Sequence, residues 1–242
     1  MSRANEVLLE ARALGKQFGG TAAVKGVSFT VAAGEIVGLI GPNGAGKTTL
    51  LNLLSGVLRP TSGSVRLRGR DIAGLKTHQV ARLGVARTLQ TPRSFPSMSV
   101  LENVAVGAVF GNRHGNLDHA RRCLDLVGLG ARAGAPMANL NLQERKNVEL
   151  ARALAMAPQV VLIDEAMSGL NPAEIEQSMR LIRRVRDETG VAIVWVEHVV
   201  KAIMQVVERI VVLNFGAVIA SGAPAEIARN PAVIEAYLGT AA

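Results

Sequence analysis

The chain has 242 residues, 49% of them hydrophobic but only 3% aromatic, and a formal net charge of +8. That composition excludes a disordered chain and calls for an aliphatic core, of the kind a helix-covered parallel sheet supplies. The single cysteine, Cys123, excludes an intramolecular disulfide, and no apolar run is long enough to span a bilayer.

The length allows one large domain, or one domain with a subdomain. The first six residues lack the apolar stretch of a signal peptide, and the single cysteine makes a cytosolic home the expectation. Basic residues are scattered: Arg66, Arg68 and Arg70; Arg121 and Arg122; Arg183, Arg184 and Arg186. None is interleaved with aromatics, so solvated faces with some attraction to a membrane surface are favoured over a nucleic-acid stripe.

Taken in order, residues 7–14 predict a strand and residues 24–31 a second, with Val27, Phe29 and Val31 alternating with polar neighbours. Phe18 falls in the loop between them, placed either to stack on a base or to pack inward. Residues 35–40 form an apolar run that reads as a buried strand, and Leu50-Leu51-Asn52-Leu53-Leu54 reads as helix. Residues 63–69 read as a half-buried edge strand. These pieces suggest an antiparallel layer around a nucleotide-binding core. Residues 85–89 lead to Gln90, and Pro92 and Pro96 interrupt regular structure.

From Ser99 to about Met156 the pattern is helical. Helices are expected over residues 100–106, with Ser99 and Glu102 as a capping box, over 117–127 and over 144–156. This segment reads as a helical insertion in an α/β core. Val160-Val161-Leu162-Ile163 is a buried strand that ends in Asp164-Glu165. A long helix follows, with Asn171 as N-cap and Pro172 at its first position. Residues 191–196 predict another buried strand, ending in Glu197-His198. Strands over 209–214 and 217–220 and a short helix from Asn230-Pro231 to near Leu238 complete the chain.

The stretch Gly41-Pro42-Asn43-Gly44-Ala45-Gly46-Lys47-Thr48-Thr49 fits GxxxxGK[ST] between a strand and a helix, which is the context a phosphate-binding loop requires. Its glycines turn backbone N–H groups onto phosphate oxygens, and the helix N-terminus adds its dipole. Lys47 reaches the β- and γ-phosphates and Thr48 ligates Mg²⁺. Beside such a loop, Asp164 fits a carboxylate that holds Mg²⁺ through water, and Glu165 a base for the attacking water. Without the loop, the same pair would read as a solvated turn. His198 ends a neighbouring buried strand and so points at the γ-phosphate position. Gln90 can offer its amide oxygen to metal or water.

In this order the motifs resemble the ATP-binding subunits of ABC transporters over nearly the whole chain. The resemblance implies Phe18 as the base-stacking aromatic, residues 41–49 as Walker A, Gln90 as the Q-loop, Asp164-Glu165 as Walker B, residues 168–171 as the D-loop and His198 as the switch. It implies a P-loop ATPase fold with an antiparallel β layer. Residues 1–90 and 158–242 would form the α/β core and 91–157 a helical subdomain. Arg87-Thr88-Leu89-Gln90, Ser168-Gly169-Leu170-Asn171-Pro172 and the tail over residues 230–239 are similar to the branched-chain amino acid importers. One departure stands out. The family signature is LSGGQ or a near variant, whereas this chain has Leu140-Asn141-Leu142-Gln143-Glu144. In the family these residues contact the ATP held by the opposite subunit.

The resemblance therefore implies an ATPase of an importer for branched-chain amino acids or a related small polar solute, with ATP and Mg²⁺ as cofactors. It would be peripheral on the cytoplasmic membrane face. Its partners would be a second, different ATP-binding chain, transmembrane permease subunits and, indirectly, a solute-binding protein, with no nucleic acid. Two rivals are a non-transport ABC ATPase acting on DNA or ribosomes and a P-loop kinase. The first lacks a coiled-coil insertion or second cassette here, and the second lacks an acceptor-site motif.

Overall fold

A computed structural model describes residues 6–111 and 116–238. The rest of the amino-terminal stretch, and Gly239 of the tail, lie outside the described residues. The chain opens with a long antiparallel hairpin, β1 (Val7–Phe18) and β2 (Thr21–Ala32), joined at Gly19-Gly20. Next come the buried strand β3 (Ile36–Ile40) and helix α1 (Lys47–Leu54). The strands β4 (Ser62–Leu67) and β5 (Arg70–Asp71), helix α2 (Thr77–Leu83) and strand β6 (Val85–Arg87) follow. Helices α3 (Val100–Phe110), α4 (Leu117–Leu126) and α5 (Leu142–Ala155) pack on one another. The second half alternates β7 (Val160–Asp164), α6 (Pro172–Thr189), β8 (Ala192–Val196), α7 (Val200–Ile203), β9 (Arg209–Asn214) and β10 (Ala217–Gly222). Helices α8 (Pro224–Ile227) and α9 (Pro231–Leu238) close it.

Two sheets result. A six-stranded sheet has the order β10-β9-β3-β8-β7-β6, parallel except for the β9–β10 hairpin. A four-stranded antiparallel sheet has the order β2-β1-β4-β5. The interiors of the parallel strands β3, β7, β8 and β9 are apolar because both of their faces are covered. Alternate residues enter different cores. Ile36, Ile40, Val161, Ile163, Ile193 and Trp195 join the helical side, packing with α3–α6. Val37, Leu39, Val160, Leu162, Val194 and Val196 join the core that α1 shares with the antiparallel sheet. Each such side chain, taken fully out of water, contributes roughly 1.5–3 kcal/mol. The alternation thus locks the register: a one-residue slip would exchange the two cores.

Helix ends follow local chemistry. Ser99 and Glu102 form the expected capping box; Asn171 is the expected N-cap of α6, with Pro172 at its first position, and the structure adds a capping box with Glu174. Three expectations are amended. Residues 62–67 are not an edge strand: the chain reverses through Arg68 and Gly69 so that β5 pairs with Arg66 and Leu67. Phe18 lies not in a loop but at the end of β1, where pairing continues to Thr21. Helix α5 starts at Leu142 because Asn141 is its N-cap, with its side chain accepting from the Glu144 N–H and the Glu144 carboxylate accepting from Asn141 N–H. Helix α2 was not foreseen; it buries only Val80 and so has no apolar period to read.

Candidate functional site: a glycine-loop cleft

The loop over residues 41–46 joins β3 to α1 and cannot be built from ordinary residues. Gly46 adopts φ 100°, and a Cβ there would stand 2.4 Å from the Ala23 carbonyl oxygen. At Gly41 a Cβ would meet the Leu213 carbonyl oxygen at 2.2 Å. The loop is therefore pressed between β2 and β9, and only glycine lets it pass. No side chain caps α1 at Gly46. Its first-turn N–H groups are left for a ligand, and the helix dipole favours an anion there.

Lys47 is buried, and its Nζ donates to the carbonyl oxygens of Gly41 (2.7 Å) and Pro42 (2.9 Å). Burial pulls its pKa below the usual lysine value, opposed by the nearby Glu165 and Asp164 carboxylates. Thr48 is exposed, and Thr49 half-buried. A cleft of about 230 Å³ is bounded by Ala23, residues 43–49, Glu165 and His198.

Across the cleft, three predicted residues meet. Glu165 follows the end of β7 and is 8% exposed. Its carboxylate accepts from Gln90 Nε2 and pairs with His198 Nε2. Its backbone sits at φ 49°, unusual for a residue with a side chain, and its N–H donates to the Val196 carbonyl at 2.9 Å. Asp164 is held differently. Arg87 Nη2 donates to Asp164 Oδ2 at 2.8 Å, while Arg87 Nη1 bonds Asn52 and Ser55 at the end of α1. The Asp164 N–H also donates to Thr88 Oγ1 at 3.4 Å. Phe18 is half-exposed, with Lys16 Nζ 5.2 Å from the ring centroid, so it is not packed into a core.

The residues over 140–144 are not gathered into this cleft within one chain. Asn141, Gln143 and Glu144 border a separate groove with Gln177 and Arg180. Gln143 Nε2 donates to Gln177 Oε1 at 3.0 Å, Leu142 is exposed, and Asn141 and Glu144 spend their hydrogen bonds on the α5 cap.

Several residues at the site carried no sequence signal of their role. Arg87, the partner of Asp164, read only as part of the run Arg87-Thr88-Leu89-Gln90 that resembles the branched-chain importers. Glu197 is 1% exposed and accepts from the Met167 N–H at 2.7 Å; burial pushes its pKa up. Glu149 is buried on α5, and burial raises its pKa to about 7 against the lowering effects of Arg152, of the Leu89 and Arg93 N–H groups and of Lys146.

The chain matches a family model described as ABC transporter over residues 24–168, and one described as Branched-chain amino acid ATP-binding cassette transporter over residues 217–242. It is 38% identical to the high-affinity branched-chain amino acid transport ATP-binding protein BraF of Pseudomonas aeruginosa, covering 97% of this chain and 98% of that protein. It is 39% identical to LivG of Salmonella typhimurium, covering 98% of this chain and all of that one. The lipopolysaccharide export system ATP-binding protein LptB of Acidithiobacillus ferridurans is 37% identical over 96% of this chain and 97% of its own length. Among solved structures, the ADP conformation of an ATP-binding cassette of an ABC transporter superposes with a TM-score of 0.88 at 26% identity, over 96% of this chain and 99% of that one. A glycine loop on an uncapped helix, the Glu165 cluster across the cleft and these full-length likenesses agree: the chain belongs to the ABC transporter family.

Proposed function

We propose that this chain binds ATP with Mg²⁺ and hydrolyses it as the ATPase subunit of an importer on the cytoplasmic membrane face. The observation that carries the reading is the meeting of Gln90 and His198 on the Glu165 carboxylate, across the cleft from the glycine loop. The α1 N-terminus and Lys47 would hold the phosphates; Lys47 would exchange its loop carbonyls for phosphate oxygens. Phe18, exposed at the end of β1, would stack on adenine. Glu165 would orient and deprotonate the attacking water, with Gln90 and His198 fixing its two carboxylate oxygens. The donors suit Mg²⁺, a hard cation that prefers oxygen and keeps its waters: Thr48 supplies a hydroxyl, and Asp164, already paired with Arg87, would reach the ion through water. When bound, Mg²⁺ would neutralise phosphate charge.

The solute we assign is a branched-chain amino acid or a related small polar solute. Two features favour it: the relatives named for that transport, and the match over residues 217–242. The helical segment over 91–157 would act as the subdomain that contacts the permease. A solved relative is described as a dimeric structure of an ATP-binding cassette bound to ADP and Pi. A second, different cassette would complete the site here, because the α5 cap occupies Asn141 and Glu144. No helix among the described residues is long and apolar enough to cross a membrane, so permease subunits would supply the spans, and a solute-binding protein would deliver to them.

The test is isolation of the tagged chain from detergent-extracted membranes. Hydrophobic subunits and a second cassette should accompany it, with ATP hydrolysis that rises when the solute and its binding protein are added to reconstituted vesicles. Recovery with DNA or ribosomes would favour the non-transport alternative. Transfer of phosphate to an acceptor, without release of inorganic phosphate, would favour a kinase.

A further inference from the structure

One helix holds both loops that meet at Glu165. Lys146 and Glu149 lie three residues apart on α5 and so share a face. Lys146 Nζ donates to the backbone carbonyl of Ser168 at 2.7 Å and to that of Glu165 at 3.3 Å. Glu149 faces the backbone N–H groups of Leu89 and Arg93, which flank Gln90, and pairs with Arg152 at 3.5 Å. The Arg152 guanidinium in turn lies 5.9 Å from the Phe95 ring. An ammonium thus grips the loop after β7 by its oxygens, and a carboxylate faces the Gln90 loop by its N–H groups. The Gln90–Glu165 hydrogen bond is where the two loops touch.

The backbone of Glu165 needs such a grip. Its left-handed φ of 49° is unfavourable for a residue with a Cβ and persists only where its surroundings impose it. Three contacts do so: the N–H donates to Val196 on β8, and the carbonyl accepts from the Ser168 N–H at 3.2 Å within its own loop and from Lys146 Nζ at 3.3 Å on α5, which also holds the Ser168 carbonyl. We propose that Lys146 is a positioning residue for ATP hydrolysis, fixing the backbone of Glu165 so that its carboxylate is presented to the cleft in register with Gln90. The proposal rests on the ATPase reading above. It makes the orientation of α5, whose N-terminus carries residues 141–144, a determinant of how the chain's own Glu165 is aimed.

The test uses the full-length chain and four variants. Lys146→Met keeps the aliphatic stem at a half-buried position and removes the ammonium. Lys146→Arg keeps a cationic donor. Lys146→Gln is a second neutral variant, polar at the same place. The fourth is Lys146→Met combined with Glu165→Gln. Losing a charge-assisted hydrogen bond that acts only on the reacting arrangement should lower kcat about tenfold or more in Lys146→Met and Lys146→Gln. KM and the affinity for a fluorescent ATP analogue should stay within about twofold, because Lys146 touches no part of the glycine loop. Lys146→Arg should recover most of the rate. The double variant should be no slower than Glu165→Gln alone, since Lys146 acts through that carboxylate. A loss that multiplies in the double variant, a rise in KM at unchanged kcat, or full activity in both neutral variants would overturn the proposal. A wild-type chain that binds no ATP would overturn the ATPase reading itself, and the proposal with it.

Discussion

Glu165→Gln should separate catalysis from binding. The substitution keeps the shape of a side chain that is 8% exposed, and the amide oxygen can still accept from Gln90 or His198. The backbone strain at φ 49° is the same for glutamine as for glutamate. Only the negative charge and the basicity disappear. A positioned general base contributes on the order of 10²–10⁴ in rate, so single-turnover hydrolysis should slow about a hundredfold or more. That corresponds to roughly 2.7 kcal/mol of barrier. Affinity for ATP should stay within about twofold, because in the proposed reading the phosphates would be held by Lys47 and the α1 N-terminus on the other wall of the cleft. Lys47→Ala is the control with the opposite signature: it removes the cation that bridges the Gly41 and Pro42 carbonyls and should weaken ATP binding itself. Equilibrium binding of labelled ATP and rapid-quench single turnover on both variants give the two readouts. Equal loss of binding in both variants would refute the division of labour, as would undiminished hydrolysis in Glu165→Gln.

Three further outcomes are expected. Phe18→Ala should weaken ATP binding by about 1–3 kcal/mol, as loss of base stacking does, while Phe18→Tyr should be near neutral; a drop in thermal stability with unchanged affinity would contradict stacking. Restoring the family signature with Asn141→Ser, Leu142→Gly, Gln143→Gly and Glu144→Gln should raise ATP hydrolysis by the isolated chain; no gain with folding and dimerisation intact would show that residues 141–144 do not limit the site. Glu149 has a folded-state pKa raised from 4.5 to about 7, chiefly by burial, with Arg152 and Lys146 as the charges facing it. The folded chain therefore binds more protons than the unfolded one across that window, so stability should fall as pH rises through it. Denaturant midpoints should show that slope in the wild type and a flatter profile in Glu149→Gln; identical profiles would remove Glu149 as the source.

What could be read from the sequence was whatever repeats in chemistry along the chain. The apolar runs of β3, β7 and β8 announced buried strands, and the structure divides their side chains between two cores. The loop over residues 41–49 was legible because glycine, lysine and threonine stand at fixed spacing between a strand and a helix. The roles of Arg87, Lys146 and Glu149 were not legible, since a lone charge in a strand or helix looks like a solvated one until its partner is seen. Their partners are 77 residues away for Arg87 and Asp164, and 22 for Lys146 and Ser168. Asn141-Leu142-Gln143-Glu144 was legible in one sense only. As a departure from the family signature it stood out at once, yet the same residues also spell a capping box, polar cap and acid three residues on. The cap carries the mechanistic weight. A helix N-terminus offers an anion its unpaired N–H groups, and here the Asn141 side chain takes the Glu144 N–H while the Glu144 carboxylate turns back to Asn141. A phosphate brought to this end of α5 by a second chain would meet a helix already capped from within, and a carboxylate beside it. The same helix, one turn on, grips the backbone of Glu165 through Lys146. In this chain α5 thus holds the loop after β7 through Lys146, while its own N-terminus is capped from within.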